Sequence, residues 1–359
     1  MNLDKPESTP QPMPDPFSTP TTAALPMGSA VPPALPETVG QVSRFRFVGT
    51  ASEYFGIWIV NILLTIITIG FYAPWAKVRR LRYFYGHTVL AKEVFDFTGI
   101  PTKILLGRII AGVVYITALV ITNIDPNYAW AFPILILLVL PWLLRATYRF
   151  NARNSKYRNS RFYFSGSNKG AYKTYLWWTL LSMLSLGLLF PYAFYKHKQY
   201  QFRHLQVGQL PFTLTVRWQS YYAAMAIPLI IIVVAGLALA LTAPMLLAAM
   251  FPVLLLVVPY IQGALYRTTW AHTLIGDSPF QCDLNPLRYA WIVLSNWFAR
   301  ILSFGLLSPW AAVREHRYKV ESLSIFWQDD PAYLLTLAQQ DPSAFGEELS
   351  DILDIDVSL

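Results

Sequence analysis

Residues able to do chemistry are sparse in this sequence, so their placement carries the argument. Arg300 falls in the middle of an apolar stretch with Ser303 one turn on, and Asn61 and Asn296 sit inside apolar stretches of their own. Charge and amide groups are costly in hydrocarbon, so such residues read either as ligand contacts or as polar ties between helices. Ser182 and Ser185 pose the same choice. Histidines 87, 197, 204, 272 and 316 show no metal-ligand spacing. His197 and His204 lie among Lys196, Lys198 and Arg203 and read as headgroup contacts. No Walker loop, nucleophile elbow, HExxH pair or membrane-protease pair occurs. The single cysteine, Cys282, excludes an internal disulfide and a cysteine-cluster metal site. The expectation is a protein without catalytic residues, metal or cofactor, and not an enzyme.

One motif recurs. Gly70-x-x-x-Pro74-Trp75-Ala76-Lys77-Val78-Arg79-Arg80-Leu81-Arg82-Tyr83 is echoed from Gly187 and Pro191 through Lys196 and Lys198 to Tyr200. It returns from Gly305 and Pro309 through Trp310, Arg314 and Arg317 to Tyr318. Glycine followed by proline ends a helix and redirects the chain, so Gly70, Pro74, Gly187, Pro191, Gly305 and Pro309 are the expected hinges. Trp75 and Trp310 suit the boundary between headgroup and acyl chain. Lys77, Arg79, Arg80, Arg82, Lys196, Lys198, Arg314 and Arg317 suit lipid phosphates.

The elements that must carry these residues follow from composition and periodicity. Of 359 residues, 55% are hydrophobic and only 13% charged, about half the usual charged share of a soluble domain. Such a chain cannot wet the surface of a soluble fold; it is expected in a membrane. Seven apolar segments, roughly 54–73, 104–122, 129–144, 174–195, 221–242, 244–262 and 288–308, approach the 20 or so residues a crossing helix needs. The charge is unevenly spread. Residues 1–43 hold ten prolines and four acids against one base, and residues 328–359 hold eight acids and no base, which leaves 27 bases against 8 acids between them. Basic sequence among apolar segments points to anionic lipid as partner, not to nucleic acid. The proline-rich start has neither a positive n-region nor an apolar h-region, and reads as a disordered tail.

A shift of 117 places Arg44 on Arg161, Phe47 on Phe164, Gly70 on Gly187 and Tyr83 on Tyr200 without a gap. A shift of 235 places Asn61 on Asn296 and Arg79 on Arg314. The unit is about 118 residues, twice complete and once truncated. Each unit opens on an alternating aromatic pattern, Phe45-Arg46-Phe47-Val48-Gly49 and Phe162-Tyr163-Phe164-Ser165-Gly166, and Phe95-Asp96-Phe97-Thr98-Gly99 and Phe212-Thr213-Leu214 follow the basic segments. These are expected to be strands that pair as small ribbons beside the membrane. Topology stays open. If all seven segments cross, the basic stretches 145–173 and 196–217 fall on opposite faces, against the positive-inside rule. Either one loop violates the rule, or the first helix of each unit enters and returns.

Several segments resemble a known family: Glu53-Tyr54-Phe55-Gly56-Ile57-Trp58-Ile59-Val60-Asn61, the run Gly70 to Gly86, Phe150-Asn151-Ala152-Arg153-Asn154-Ser155, and Phe345-Gly346-Glu347-Glu348 with Asp354-Ile355-Asp356. They are similar to the YjgN-type family of bacterial inner-membrane proteins of unknown function, over about residues 44–359. The resemblance implies a multi-pass inner-membrane location and brings no catalytic residues; the proline-rich start lies outside it. The expected fold is an all-α polytopic membrane protein with short β-ribbons at the cytoplasmic face, built on the 118-residue repeat. Its expected organisation is a tail at 1–43, membrane repeats at 44–160, 161–278 and 279–327, and an acidic cytoplasmic tail at 328–359. Two functions compete: transport of a small solute or lipid through broken helices, with Asn61, Asn296 and Arg300 as the groups at stake, and a non-transporting scaffold or sensor that binds anionic lipid or a partner protein at its cytoplasmic face. Oligomeric state is not legible.

Overall fold

The alternating aromatic patterns do form strands, but they do not pair with one another. The computed structural model describes residues 40–124, 130–158, 160–242 and 250–328. Within or beside such patterns lie β2 (Arg46–Phe47), β4 (Glu93–Phe97), β6 (Ser160–Phe164), β8 (Leu210–Leu214) and β10 (Ser278–Cys282). Between them run short strands that carry too few residues to show a period: β3 (Thr88–Leu90), β5 (Ser155–Tyr157), β7 (Leu205–Val207), β9 (Thr273–Ile275) and β11 (Leu323–Phe326). With β1 (Val42–Arg44) they form, among the described residues, one eleven-stranded sheet in the order β1-β11-β10-β9-β8-β7-β6-β5-β4-β3-β2. Its pairings are antiparallel, for example Phe95 opposite Tyr157 and Phe162 opposite Val207. β1 and β2 are two parts of one extended segment interrupted at Phe45, and they pair with β11 and β3 respectively. The two edges of the sheet therefore meet, and the sheet curls into a nearly closed barrel.

This sheet overturns the expected fold class. The chain is not an all-α polytopic protein of 118-residue repeats with short ribbons at one face. Its organising element is a continuous antiparallel barrel. β2 and β4, expected to pair as a ribbon, are separated by β3.

Helices fill the connections. β3–β4, β5–β6, β7–β8 and β9–β10 are joined by tight turns, where Ala91, Lys92, Arg158, Gly208 and Gly276 adopt positive φ. Helical excursions make the other connections: α1 (Ala51–Ile67) and α2 (Ala73–Gly86); α3 (Pro101–Ile124) and α4 (Ala131–Asn154); α5 (Asn168–Ala171), a π-helical turn (Tyr172–Trp177), α6 (Trp178–Leu184) and α7 (Phe190–Arg203); α8 (Trp218–Thr242) and α9 (Met250–Trp270); and α10 (Pro286–Leu302) with α11 (Ser308–Glu321). In an antiparallel sheet consecutive connections alternate between ends. The tight turns therefore share one end of the barrel, and all five helical hairpins leave and return at the other.

Among the described residues three helical stretches are long and apolar enough to cross a membrane by length and composition: Pro101–Asn123, Pro133–Asn154 and Trp218–Thr242. Seven segments were expected. The segment at 54–73 becomes α1, whose 17 residues extend only about 25 Å, short of the roughly 30 Å hydrocarbon core. The segment at 174–195 is divided between α6 and α7, and that at 288–308 becomes the 17-residue α10. The segment at 244–262 begins outside the described residues; 1–39, 125–129 and 329–359 also lie outside them, while Val42 and Ser43, expected in the disordered tail, belong to β1.

Candidate functional site

The three shorter hairpins share one local geometry, and it begins with how the first helix ends. At Thr68 the helix stops in a Schellman motif: Ile69 N–H donates to Ile66 O at 3.0 Å and Gly70 N–H to Thr65 O at 2.7 Å. The Thr68 hydroxyl then accepts from Tyr72 N–H at 2.9 Å, starting the next helix. The pattern recurs with Gly187 N–H on Ser182 O and Ser185 Oγ accepting from Leu189 N–H, and with Gly305 N–H on Arg300 O and Ser303 Oγ accepting from Leu307 N–H. Proline is not the breaker here, contrary to expectation. Pro74, Pro191 and Pro309 stand in the first turn of the second helix, where proline's missing N–H and fixed φ are suitable.

The residue that turns left-handed just before each glycine is a bulky apolar one: Ile69 at φ 50°, Leu186 at 52° and Phe304 at 51°. A left-handed L-residue costs roughly 1–2 kcal/mol. Each of these side chains is at least 95% exposed, with Ile67, Leu184 and Leu302 beside them also exposed. Strain combined with full apolar exposure, repeated at three tips, has no packing explanation inside the chain.

The polar residues expected to contact a ligand or lipid are for the most part held by the protein. Asn296 is 1% exposed; its Nδ2 donates to Ala311 O at 3.0 Å, and its Oδ1 accepts from Arg314 Nη1 at 3.1 Å. Arg314 also donates to Ser295 Oγ at 2.8 Å and lies over the Trp310 ring. Asn61 accepts from Arg79 Nη1 at a longer 3.5 Å, and Arg79 reaches Tyr72 OH at 3.2 Å. Arg82 donates to Phe97 O and Gly99 O, and Arg317 to Gly49 O at 2.8 Å, so both tie helices to strand ends. Gly99 and Gly49 have no room for a side chain, because a Cβ would lie 2.4 and 2.7 Å from Phe97 and Phe47. Lys196 and Lys198 donate to Gln199 and Gln201 and pack over aromatic rings. Trp75 stacks on Phe71 and Tyr72. Lys77 and Arg80 remain exposed, Arg80 lying over the Phe84 ring. Arg300 stands not in mid-helix but in the last turn of α10, where its charge suits the helix dipole. Its Nε is buried without a hydrogen-bond partner.

The histidines are structural. His87, His204 and His272 follow α2, α7 and α9 and each places Nδ1 2.8–2.9 Å from the carbonyl four residues back, which makes Nδ1 the donor. His197 packs against the Tyr175 ring, and His316 packs edge-on against Phe47 and tilted against Phe84. Burial pushes both down to about 4. Among the described residues no group of histidine, cysteine and acidic side chains is placed to hold a metal.

A feature that the sequence did not reveal lies inside the barrel. Phe95, Phe45, Phe280, Phe212 and Phe162 stand side by side around its interior, neighbouring rings 6.1–6.3 Å apart and within 28° of parallel. They line a cavity of about 140 Å³ whose wall is wholly apolar. Leu90, Val207 and Ile275 complete it on the tight-turn side, and Trp327 lines it at the same end. The signal was present as phenylalanines at corresponding places in the strands, but the closure that faces them inward was not.

A barrel bearing apolar helical hairpins at one end defines a membrane protein in which one end of a sheet is bonded to lipid-seeking helices. The chain belongs to the family described as "Bacterial protein of unknown function (DUF898)", whose model matches residues 42–352. It is 29% identical over 147 residues to a protein of Escherichia coli (strain K12) named inner membrane protein YjgN, covering 41% of this chain and 37% of that one. It is also 29% identical over 138 residues to the Salmonella typhimurium protein of the same name, covering 38% and 34%. The matches thus span little more than a third of these relatives' length. No solved structure matches the chain. With such relatives and such apolar helices, the protein resides in the bacterial inner membrane.

Proposed function

We propose that the protein is a non-transporting scaffold of the inner leaflet, with the barrel in the cytoplasm and the helical hairpins in lipid, gathering anionic lipid around its shorter hairpins. The observation that carries this reading is the trio of strained, exposed tips at Ile69, Leu186 and Phe304. In each of the three shorter hairpins the outgoing arm has 17 residues, about 25 Å, too short for the hydrocarbon core, so its tip enters one leaflet without crossing. Every basic stretch then stays on one side, as the positive-inside rule asks. Lys77 and Arg80, exposed on α2 between the hairpin turn and the middle of the helix, are cations placed to reach phosphate. The broken helices that suggested transport are short hairpins with capped ends, so they offer no bare backbone at membrane depth.

Transport keeps one supporting observation, the unpartnered Arg300 Nε. Native mass spectrometry of gently extracted protein separates the two. On the scaffold reading, anionic phospholipid is retained and falls away in Lys77→Gln/Arg80→Gln. Retention of a small solute that disappears in Arg300→Met while lipid stays bound would favour transport instead.

A further inference from the structure

The barrel cavity lies at the end away from the hairpins and is independent of the scaffold reading. Protein interiors are close-packed, with few voids larger than a water. A dry apolar cavity near 150 Å³ accepts a benzene-sized hydrocarbon, and this one is about 140 Å³ with no polar group on its wall. Water gains nothing there. Five phenylalanines, one each from β4, β6, β8 and β10 and Phe45 between β1 and β2, build the wall, so its apolar character does not depend on one side chain. Trp327 lines the cavity at the tight-turn end. Trp327 is held by two backbone hydrogen bonds, Gly40 N–H to its carbonyl at 2.9 Å and its own N–H to Gln41 O at 3.1 Å, while its indole Nε1 is buried and unpartnered. Lys92 and Arg158 stand in the tight turns at the same end, Arg158 3.5 Å from Glu93. Glu93 and Asp277 stand in the same set of turns, so the rim carries both signs and the apolar interior is what selects a hydrocarbon chain.

We propose that the barrel is a binding site for the end of a fatty-acyl chain, taken up past Trp327 at the tight-turn end. The chain could belong to a free fatty acid or to a phospholipid, and the experiment distinguishes them. The full-length protein in lipid nanodiscs is irradiated with palmitic acid bearing a terminal diazirine, or with phosphatidylglycerol carrying the same acyl chain, and the crosslinked peptides are identified by mass spectrometry. Labelling is expected on β4, β8 and β10, suppressed by excess unlabelled palmitate. It is expected to fall about tenfold in Ile275→Phe and in Val207→Phe, which fill the cavity from different strands. Near-ultraviolet circular dichroism reports which variants fold, and competition on the wild-type protein does not depend on either. Labelling by the free acid assigns the site to fatty acid; labelling by the phospholipid alone assigns it to membrane lipid. The proposal is overturned if neither probe marks the strands, or if labelling survives both palmitate and the filling substitutions.

Discussion

Asn296 and Asn61 hold corresponding places in two hairpins, yet the structure gives them different work. Asn296→Leu keeps the volume while deleting a neutral hydrogen bond to Ala311 O and a charge-assisted one from Arg314. Those are worth about 1 and about 1.5–3 kcal/mol. Ala311 keeps its bond along the helix and Arg314 keeps Ser295 at 2.8 Å, and leucine restores apolar contact. A net loss of about 2 kcal/mol remains. Asn61→Leu removes one 3.5 Å contact from an arginine that still reaches Tyr72, and should cost under about 0.5 kcal/mol. Denaturant unfolding in detergent micelles, followed by near-ultraviolet circular dichroism, measures both. Adding Arg314→Met and the double variant completes a cycle in which Asn296 and Arg314 should couple by about 1 kcal/mol. Equal losses at the two asparagines, or a coupling near zero, would refute the view that Asn296 is a buried structural tie.

Three further outcomes follow from the same geometry. Leu186→Gly and Phe304→Gly relieve a left-handed backbone and should stabilise the detergent-extracted protein by about 1 kcal/mol each, while quenching of a tip-attached fluorophore by brominated lipid should weaken. His316 is pushed down to about 4 by burial, with Lys319 and Arg80 adding to the effect, against about 6.5 unfolded. The unfolded chain takes up the proton first, so stability is full above pH 6.5 and is lost as pH falls toward 4; His316→Phe should flatten that acid limb in pH-dependent unfolding. Gly166→Ala would set a Cβ 2.5 Å from both the Phe164 ring and Tyr200 OH, disturbing the 2.8 Å bond from Tyr200 to Ser167 O. It should cost about 1–3 kcal/mol in melting experiments, whereas Gly56→Ala, with open space at its Cβ, should not.

The sequence showed the strands with a Phe-x-Phe core because alternation over five residues is a local signal. It hid β3, β5, β7 and β9, three residues each, because so short a run following a helix has no period to read. Without them the patterned strands seemed to pair in twos, and the barrel, with its phenylalanine-lined cavity, could not be seen. Hydropathy found the apolar segments but overestimated how many could cross, since a 17-residue helix followed by a tight Schellman turn has the same composition as part of a span. The corresponding positions of Gly70, Gly187 and Gly305 were legible as hinges. The actual mechanism was not, because apolar residues at left-handed φ leave no mark in sequence. Arg82 and Arg317 read as lipid contacts because a cation beside a membrane and a cation capping a strand end look alike until the partner carbonyl is located.

The pairing of β1 with β11 has a consequence for the ribosome. The outer edge of the first strand waits for a partner made only after every helical hairpin has emerged. Hairpins can reach lipid one at a time as they are translated, but the ring of strands cannot shut until the last of them arrives, so membrane insertion precedes closure. During that interval an open edge is exposed, and a chain truncated before Leu323 would keep it open permanently.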